Sequence, residues 1–276
     1  MVKIVTDSSC MMSKEEGKAI GVKVLPLQVT VNNASYEDLE TLSSEQLIAE
    51  IKEKHLPTSS QPAIGLVQEA METDEEIVYI CMADGLSGTY QSALSVQNTI
   101  ENSGNIHVWN CRTLCGPQKY LTEKAAKLAE EGKTAEEILE ALEASANKCQ
   151  SFLMPSDFDF LKRGGRMTPL AATMGGLLKI NPIVTQTEDG RRLDKFHVSR
   201  TFARGVDKIL EVLTAAGVNE DYKIYISHAN AQEKCDIVEE KVKALFPNTE
   251  YEIIKLSPAM ITQGGPGCVA VQYILK

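Results

Sequence analysis

Short runs of β-branched and apolar residues alternate with helix-like segments along the first 150 residues of the chain. The clearest runs are VKIV at 2–5, IVYICM at 77–82 and IHVWN at 106–110. Residues 22–31 are also expected to be extended, with an interruption at Pro26 because proline cannot donate to a sheet. Strands that alternate with helices are typical of a mostly parallel sheet with helices on its faces. The alternation therefore predicts an α/β fold for the first half of the chain.

The pattern changes after about residue 150. Residues 182–198 read as two strands around the turn Asp189-Gly190, and a helix capped by Thr201 follows over about 202–216. Strand, helix and strand come next, which together with the hairpin indicates an α+β domain. A chain of 276 residues is long enough for two domains. We expect an α/β domain at 1–150 and an α+β domain at 151–276.

The charge balance excludes two classes of partner. The chain has 28 Lys and Arg against 38 Asp and Glu, a net charge of -10. Such a chain repels nucleic-acid phosphates and anionic lipid head groups, so nucleic-acid binding and membrane-surface roles are not expected. No apolar run approaches the roughly 20 residues that span a bilayer, and MVKIVTDSS does not resemble a signal peptide. We therefore expect a soluble, cytoplasmic protein without stable membrane insertion.

Cysteine and histidine spacing does not indicate a metal site or cofactor. The seven cysteines form no CxxC pair, and the four histidines never occur as HxxxH or HxH. Buried, reduced thiols are the expected state of the cysteines, and no metal is expected.

Gly132-Lys133-Thr134 resembles the end of a P-loop but lacks the earlier glycine, because position 127 is Lys127. Thr134 and Glu137 instead match a capping box at the start of a helix. The sequence therefore predicts no ATP site in this chain.

The segment GLSGT at 85–89 stands between a strand and a helix, and three interpretations are open. Ser87 could be a hydrolase nucleophile with His197 or His228 as base, although the second glycine of a GxSxG elbow comes one position early. Gly85 and Gly88 could instead let the backbone and the helix N-terminus hold an anion. The third interpretation is a capped turn.

A second hydroxyl-rich segment shifts the balance toward anion binding. Thr58, Ser59 and Ser60 precede Gln61-Pro62 and a helix, and one hydroxyl would suffice for capping. TDSS at 6–9 is a third segment of this kind. In a parallel α/β sheet we expect these loops to meet at the C-terminal edge, where ligands bind.

Two glycine-rich segments in the second half are further candidates. Gly164-Gly165-Arg166 follows Lys162 and Arg163, a basic cluster in an acidic chain, and is expected to turn between two helices. A helix C-terminus with cations and a glycine cap would explain this cluster equally well. QGGPG at 263–267 is expected to be a rigid loop.

Together these segments resemble the DegV family of bacterial fatty-acid-binding proteins. The matching motifs are KIVTDSS, PTSSQPAIG, GLSGTYQSA, LKRGGRMTP, the Asp-Gly hairpin with Arg200-Thr201, and GGPG near the end. They run the length of the chain in the family's order.

The resemblance implies a two-domain protein that encloses one long-chain fatty acid, such as palmitate, in a tunnel between its domains. It implies that Ser59 and Ser87 hold the carboxylate, flanked by Thr58, Ser60 and Gly88. Ser59 stands where the family usually has threonine, and the hydroxyl is kept. Apolar residues after the GGR turn are candidates for the tunnel wall, with core packing as the default: Met167, Met174, Leu177, Leu178 and Ile180.

The resemblance also implies a partner. Family members present the bound acid to a separate ATP-dependent fatty acid kinase, so the chain itself is expected not to be an enzyme. Arg200 and Arg166 are candidates on the head-group or kinase side. Gln263 stands where kinase-coupled members often have histidine, and glutamine cannot carry positive charge toward a phosphate. The alternative is a lipid carrier or sensor that is not coupled to the kinase.

Overall fold

The computed structural model describes residues 1–101, 103–174 and 180–276, which form three sheets flanked by helices. The strands are β1 (Lys3–Asp7), β2 (Val22–Leu25), β3 (Gln28–Val31), β4 (Ala34–Glu37), β5 (Thr58–Ser60), β6 (Ile77–Cys81), β7 (Ile106–Asn110), β8 (Cys149–Met154), β9 (Asn181–Gln186), β10 (Leu193–Ser199), β11 (Tyr222–His228), β12 (Glu250–Lys255) and β13 (Val269–Leu275). The helices are α1 (Lys14–Ala19), α2 (Ser44–Lys52), α3 (Ile64–Met71), α4 (Thr89–Gln97), α5 (Gly116–Glu130), α6 (Ala135–Ala146), α7 (Phe158–Arg163), α8 (Phe202–Ala215), α9 (Gln232–Leu245) and α10 (Pro258–Gly264).

The first sheet has the order β2-β1-β6-β7, and all of its strand pairs are parallel. Helices α3, α4 and α5 pack against its strands. All five residues of β6 are buried, which explains its uninterrupted apolar sequence, because a parallel strand between helical layers has no solvent face. The predicted α/β fold with a parallel sheet flanked by helices is confirmed.

The second sheet has the order β10-β9-β8-β13-β11-β12, with antiparallel pairs except between β11 and β12. The last strand, β13, lies between β8 and β11. Helices α8 and α9 pack on this sheet, and α5 and α6 from the first half of the chain also contact it. One core cluster therefore contains Leu121 together with Tyr225 and Ile274. The predicted hairpin and further sheet are confirmed, whereas the division into domains at residue 150 stays a prediction.

A third, small antiparallel sheet has the order β4-β3-β5. Pro26 separates β2 from β3, as expected, and the two strands belong to different sheets. The hydroxyl segment at 58–60, predicted as a loop after a parallel strand, is instead the strand β5. Its residues pair with β3, so hydrogen bonding across the chain overrides the turn-like local sequence.

Local helix signals are largely confirmed. The Thr134 side chain accepts from the Glu137 backbone N–H, and the Thr134 N–H bonds the Glu137 carboxylate at 2.9 Å, so Thr134 is the N-cap of α6 as predicted. Thr201 caps α8 as predicted. Of the two helices expected around Gly164-Gly165, α7 precedes the glycines. Within the described residues a short 3-10 helix follows at Ala171–Met174, and residues 175–179 lie outside the described part of the chain.

Candidate functional site

An apolar cavity lies between the two halves of the chain. This inner cavity has a volume of about 110 Å³, in a measure on which one water needs roughly 10–15 Å³. Residues from both halves line it, among them Leu86, Leu114, Phe152, Leu153, Met260 and Ala270. Its wall offers mainly hydrocarbon surface, which suits a hydrocarbon chain.

A polar cleft of about 500 Å³ adjoins the inner cavity. This mouth cleft is lined by the predicted hydroxyl residues Ser59, Ser60 and Ser87 and by Gly88. The two spaces share five residues, which mark where the cleft passes into the cavity: Met82, Leu86, Arg166, Met260 and Gln263. A molecule with a polar head and an apolar tail fits this arrangement.

A third space, the side cleft, has a volume of about 240 Å³ and lies beside the mouth cleft. Thr58 and Arg163 line it, together with Ser59, Arg166 and Gln263, which it shares with the mouth cleft. Arg166 and Gln263 line all three spaces.

Strand pairing positions Ser59. Ser59 lies opposite Val29 in the β3–β5 ladder and is half-buried, while Thr58 and Ser60 on either side are exposed. Alternate residues of a strand point to opposite faces, so the three hydroxyls cannot all point into one cleft. Ala63 is the N-cap residue of α3, so Pro62 lies just before the helix.

Gln61 joins the β5 segment to the GLSGT segment. Its Nε2 donates to the Ser92 hydroxyl of α4. Its Oε1 packs against Gly88, where a Cβ atom would lie 2.5 Å from that oxygen. A side chain at position 88 would therefore separate the two hydroxyl segments, which gives Gly88 a packing role beside its predicted role in backbone anion binding.

The GLSGT segment connects β6 to α4, and Gly88 is the N-cap residue. The Ser87 hydroxyl lies 2.9 Å from the Thr89 hydroxyl and accepts the Thr89 N–H at 3.3 Å. All four histidines are among the described residues, and none lines the mouth cleft. His228 is buried at the end of β11, where its Nδ1 accepts the Ala231 N–H. The nucleophile interpretation therefore lacks a histidine base at Ser87.

TDSS at 6–9 does not present its hydroxyls to the mouth cleft, contrary to expectation. Asp7, Ser8 and Ser9 are buried, and the Ser9 hydroxyl lies within hydrogen-bond distance of the Asp7 carboxyl and of Gln118 Oε1. Burial raises the pKa of the Asp7 carboxyl above its ordinary value, since desolvation disfavours the charged form. These side chains hold the core together instead of binding a ligand.

The basic segment and the C-terminal glycine segment meet at the mouth cleft. Arg166 Nε donates to the Leu86 carbonyl at 3.1 Å, across the two halves of the chain. Gln263 Nε2 donates to the Ser59 hydroxyl at 2.9 Å. The sequence predicts a rigid loop from residue 263. In the structure, Gln263 and Gly264 instead form the last turn of α10. The helix was missed because its core, AMIT, is short and follows a proline.

The hairpin tip makes a contact between the two halves of the chain that the sequence does not predict. Arg191, next to the predicted Asp-Gly turn, makes an ion pair of 2.7 Å with Asp84 at the start of the GLSGT segment. The sequence feature that could have indicated this ion pair is the pair of arginines directly after that turn. Arg200, the predicted residue, is exposed at the opposite end of the same hairpin and is not among the residues that line the three spaces.

The candidates for the tunnel wall fall into three groups. Met167 packs with Leu161 and Val184 in a small core cluster, in agreement with the core packing expected by default. Ile180 is half-buried beside β9, and Met174 ends the 3-10 helix. Leu177 and Leu178 lie outside the described residues.

Two negative observations apply to the described residues. No helix there combines the length and apolar character that crossing a membrane requires. No group of three or more His, Cys, Asp or Glu side chains there could hold a metal ion.

All seven cysteines are unpaired thiols, as predicted, and burial raises the pKa values of Cys115 and Cys268, which line the inner cavity.

Comparison with known proteins identifies the family. Residues 1–276 match the model described as "Uncharacterised protein, DegV family". A DegV domain-containing protein of Staphylococcus aureus is 30% identical over 278 residues, 99% of this chain and 98% of that protein. The crystal structure of DegV, a fatty acid binding protein from Bacillus subtilis, is 26% identical with a TM-score of 0.86, covering 100% of this chain and 99% of that one. The Fatty Acid Kinase (Fak) B3 protein of Streptococcus pneumoniae, loaded with linoleic acid, is 23% identical with a TM-score of 0.86 and covers 100% of both chains. The chain therefore belongs to the DegV family.

Proposed function

We propose that this chain binds one long-chain fatty acid, with the carboxylate in the mouth cleft and the acyl chain in a tunnel that includes the inner cavity. The observation that carries the proposal is the passage from a hydroxyl-lined cleft into an apolar cavity at Met82, Leu86 and Met260. The relative from Bacillus subtilis, a fatty acid binding protein, supports the same ligand class. The tunnel would lie between the halves 1–150 and 151–276, which we propose as domains.

The carboxylate would be held mainly by hydroxyl groups. Ser59 and Ser87 are the proposed first donors, with the backbone at Gly88 beside them, and Thr58 and Ser60 flank Ser59 on β5. Arg166 adds positive charge at the point where head and tail meet. Each buried methylene contributes about 0.8 kcal/mol, so an acyl chain of about 15 methylenes contributes on the order of 12 kcal/mol before the loss of ligand freedom is subtracted. Neutral donors therefore suffice for tight binding.

Native mass spectrometry of the purified protein tests the proposal directly. We expect a stoichiometric adduct that, after denaturation, is identified as a fatty acid of about 14 to 18 carbons, since burial of that many methylenes supplies the affinity. A protein that is bare and that also takes up no added fatty acid would contradict the proposal.

Ser87→Ala is expected to weaken palmitate binding by about 10-fold or more, because a hydrogen bond to a charged group contributes roughly 1.5–3 kcal/mol. Equilibrium titration with palmitate measures the change. Ser95→Ala is the matched control, because Ser95 is exposed on α4 and its hydroxyl bonds only the Gln91 carbonyl within its own helix. Equal affinity in both variants would remove Ser87 from the carboxylate site.

We also propose that the chain presents its fatty acid to a separate ATP-dependent fatty acid kinase. The name of the related protein from Streptococcus pneumoniae supports this partner. A carrier or sensor without kinase coupling is the second candidate, favoured by Gln263 in place of the family's histidine. Arg200 and Arg166 remain the proposed residues on the kinase side.

Reconstitution separates the two candidates. If the chain serves a kinase, loaded protein plus the ATP-binding subunit of a fatty acid kinase and Mg-ATP yields acyl phosphate, trapped as the hydroxamate. Arg200→Ala should then slow acyl-phosphate formation while palmitate binding is unchanged. Tight palmitate binding without acyl phosphate would favour the uncoupled carrier or sensor.

A further inference from the structure

Three polar side chains lie side by side in the wall of the inner cavity, which is otherwise mainly hydrocarbon. They belong to neighbouring strands of the second sheet: Gln272 of β13, Ser151 of β8 and Gln186 of β9. Ser151 and Gln272 are paired in the β8–β13 ladder. The β8–β9 register, which pairs Phe152 with Thr185, places Ser151 opposite Gln186 when it is continued by one residue. These three residues form a polar row across the sheet.

The polar row lies away from the mouth cleft, which none of its three residues lines. Cys268, Ala270 and Gln272 all line the inner cavity, as expected for alternate residues of an extended chain. Cys268 lies against the end of α10, where a Cβ atom on Gly264 would be 2.8 Å from its sulfur. Because each strand residue advances by about 3.3 Å, Gln272 lies about 13 Å further along the wall. A ligand group that meets the polar row therefore belongs to the acyl chain and not to the carboxylate.

The hydrogen bonds of Gln272 fix the direction of its bond to Ser151. Gln272 Oε1 accepts the Gly116 N–H at 3.2 Å, and Nε2 donates to the Leu114 carbonyl at 3.0 Å. A backbone N–H only donates and a carbonyl only accepts, so the two amide atoms cannot be exchanged. Nε2 also lies 2.7 Å from the hydroxyl of Ser151, which therefore accepts this bond. Ser151 is 9% exposed, and no described residue accepts its hydroxyl proton.

Gln186 carries the complementary atom. Its Nε2 donates to the Arg112 carbonyl at 3.1 Å and to the Gly190 carbonyl at 3.3 Å. Both partners only accept, which assigns the nitrogen to that side of the amide. Gln186 Oε1 receives no hydrogen bond from residues 1–101, 103–174 or 180–276. The polar row therefore holds one unused donor, at Ser151, and one unused acceptor, at Gln186.

An unsubstituted acyl chain satisfies neither group. A buried donor or acceptor that has lost its partner costs free energy, and a methylene group offers neither a donor nor an acceptor. The two groups are then left unpaired or left to a trapped water. A hydroxyl group has one donor and two acceptor lone pairs, so it can accept the Ser151 proton and donate to Gln186 Oε1. A keto oxygen can make only the first of these bonds.

We propose that the inner cavity holds a hydroxy fatty acid, with the hydroxyl group of its acyl chain bound between Ser151 and Gln186. The inference rests on the proposed function and deepens it, because it names the class of fatty acid. The carboxylate stays in the mouth cleft, so the hydroxyl group lies far along the chain. A site built to hydrogen-bond a hydroxyl discriminates against the analogue that lacks it, since its own polar groups are then left unpaired.

Hydroxystearates and stearate test this preference, because they differ by one hydroxyl group. We expect the natural protein to bind 10-hydroxystearate or 12-hydroxystearate about 5- to 50-fold more tightly than stearate. In a wholly apolar cavity the same hydroxyl would weaken binding, because it would lose its hydrogen bonds to water. 2-Hydroxystearate is the positional control, since its hydroxyl lies beside the carboxylate and does not reach the polar row. Competition against a fluorescent fatty acid measures all four affinities.

Two variants remove the two halves of the polar site. Ser151→Ala removes the donor, and Gln186→Met removes the acceptor while it keeps an unbranched side chain. Each variant is expected to lower the affinity for the preferred mid-chain hydroxystearate, divided by that for stearate, by about 5-fold or more. The ratio cancels changes in cavity shape or stability that affect both ligands. The same ratio for 2-hydroxystearate should stay within about 2-fold.

A mid-chain preference in the natural protein that falls in the folded variants supports the inference. Ser151 and Gln186 lie on different strands, so if one variant does not fold the other still tests the site. The inference is overturned if neither mid-chain hydroxystearate binds more tightly than stearate, or if the preference persists in the variants. Tight stearate binding alongside either result leaves the proposed function intact. A natural protein that binds none of these acids would overturn the proposed function itself.

Discussion

Replacing Ala270 by phenylalanine is expected to abolish tight binding of long-chain fatty acids. Ala270 lies in β13 opposite Leu153 of β8, and both residues line the inner cavity. A phenyl ring would occupy much of a space of about 110 Å³. If the ring excludes about four methylenes at about 0.8 kcal/mol each, the affinity falls by more than about 100-fold. Titration with palmitate measures the loss.

Chain length and position provide the controls for this variant. Octanoate, whose short tail needs less of the cavity, should lose much less affinity than palmitate. Ala215→Phe makes the same change at the exposed end of α8 and should leave palmitate binding unchanged. Overpacking a core costs about 1–3 kcal/mol, so thermal unfolding is recorded in parallel. Palmitate binding at natural strength in a folded Ala270→Phe protein would place the acyl chain elsewhere.

Asp38→Asn is expected to stabilise the fold at neutral pH. Asp38 is fully buried, accepts the Ser8 hydroxyl at 2.7 Å and accepts the Ala259 N–H at 2.9 Å. Burial raises the pKa of its carboxyl from 3.8 to about 6, against the opposing effect of these hydrogen bonds. A pKa difference of about two units between the folded and unfolded chain changes the free energy of unfolding by about 3 kcal/mol. Asparagine keeps an acceptor for the Ala259 N–H and carries no charge.

The pH dependence gives this prediction its sign. Below pH 3.8 the carboxyl is protonated in both states, whereas between pH 3.8 and about 6 the folded chain holds a proton that the unfolded chain has released. The stability that Asp38 contributes therefore falls as pH rises through this window. The advantage of Asp38→Asn should be absent near pH 4 and largest above pH 7.

Urea unfolding at several pH values measures the advantage. Asp74→Asn, at an exposed position, controls for the loss of one negative charge from an acidic chain. The prediction is wrong if the Asp38→Asn protein is less stable than the natural one at pH 7.5. The hydrogen bonds of the ionised carboxylate would then stabilise the folded state by more than its desolvation costs.

Several local elements follow from the amino-acid sequence alone. The buried strand β6 follows from five consecutive apolar residues, and the hairpin of β9 and β10 follows from Asp189-Gly190. The helix start at Thr134 follows from the side-chain pair three residues apart. Each of these signals acts over a few residues, where conformational preference and capping decide the outcome. The alternation of strands and helices predicted the α/β fold, and the family motifs, taken together, added the class of protein.

The contacts between distant segments follow from the tertiary structure and not from local sequence signals. The sequence does not show that β13 inserts between β8 and β11, or that the hydroxyl segment 58–60 pairs as a strand with β3. It also does not show that Arg191 at the hairpin tip pairs with Asp84 of the first half. It treated Gln263 as a missing histidine, whereas the fold places its amide on Ser59. Such contacts join residues far apart in the chain, and their free energy depends on the packing of whole elements, which no local pattern records.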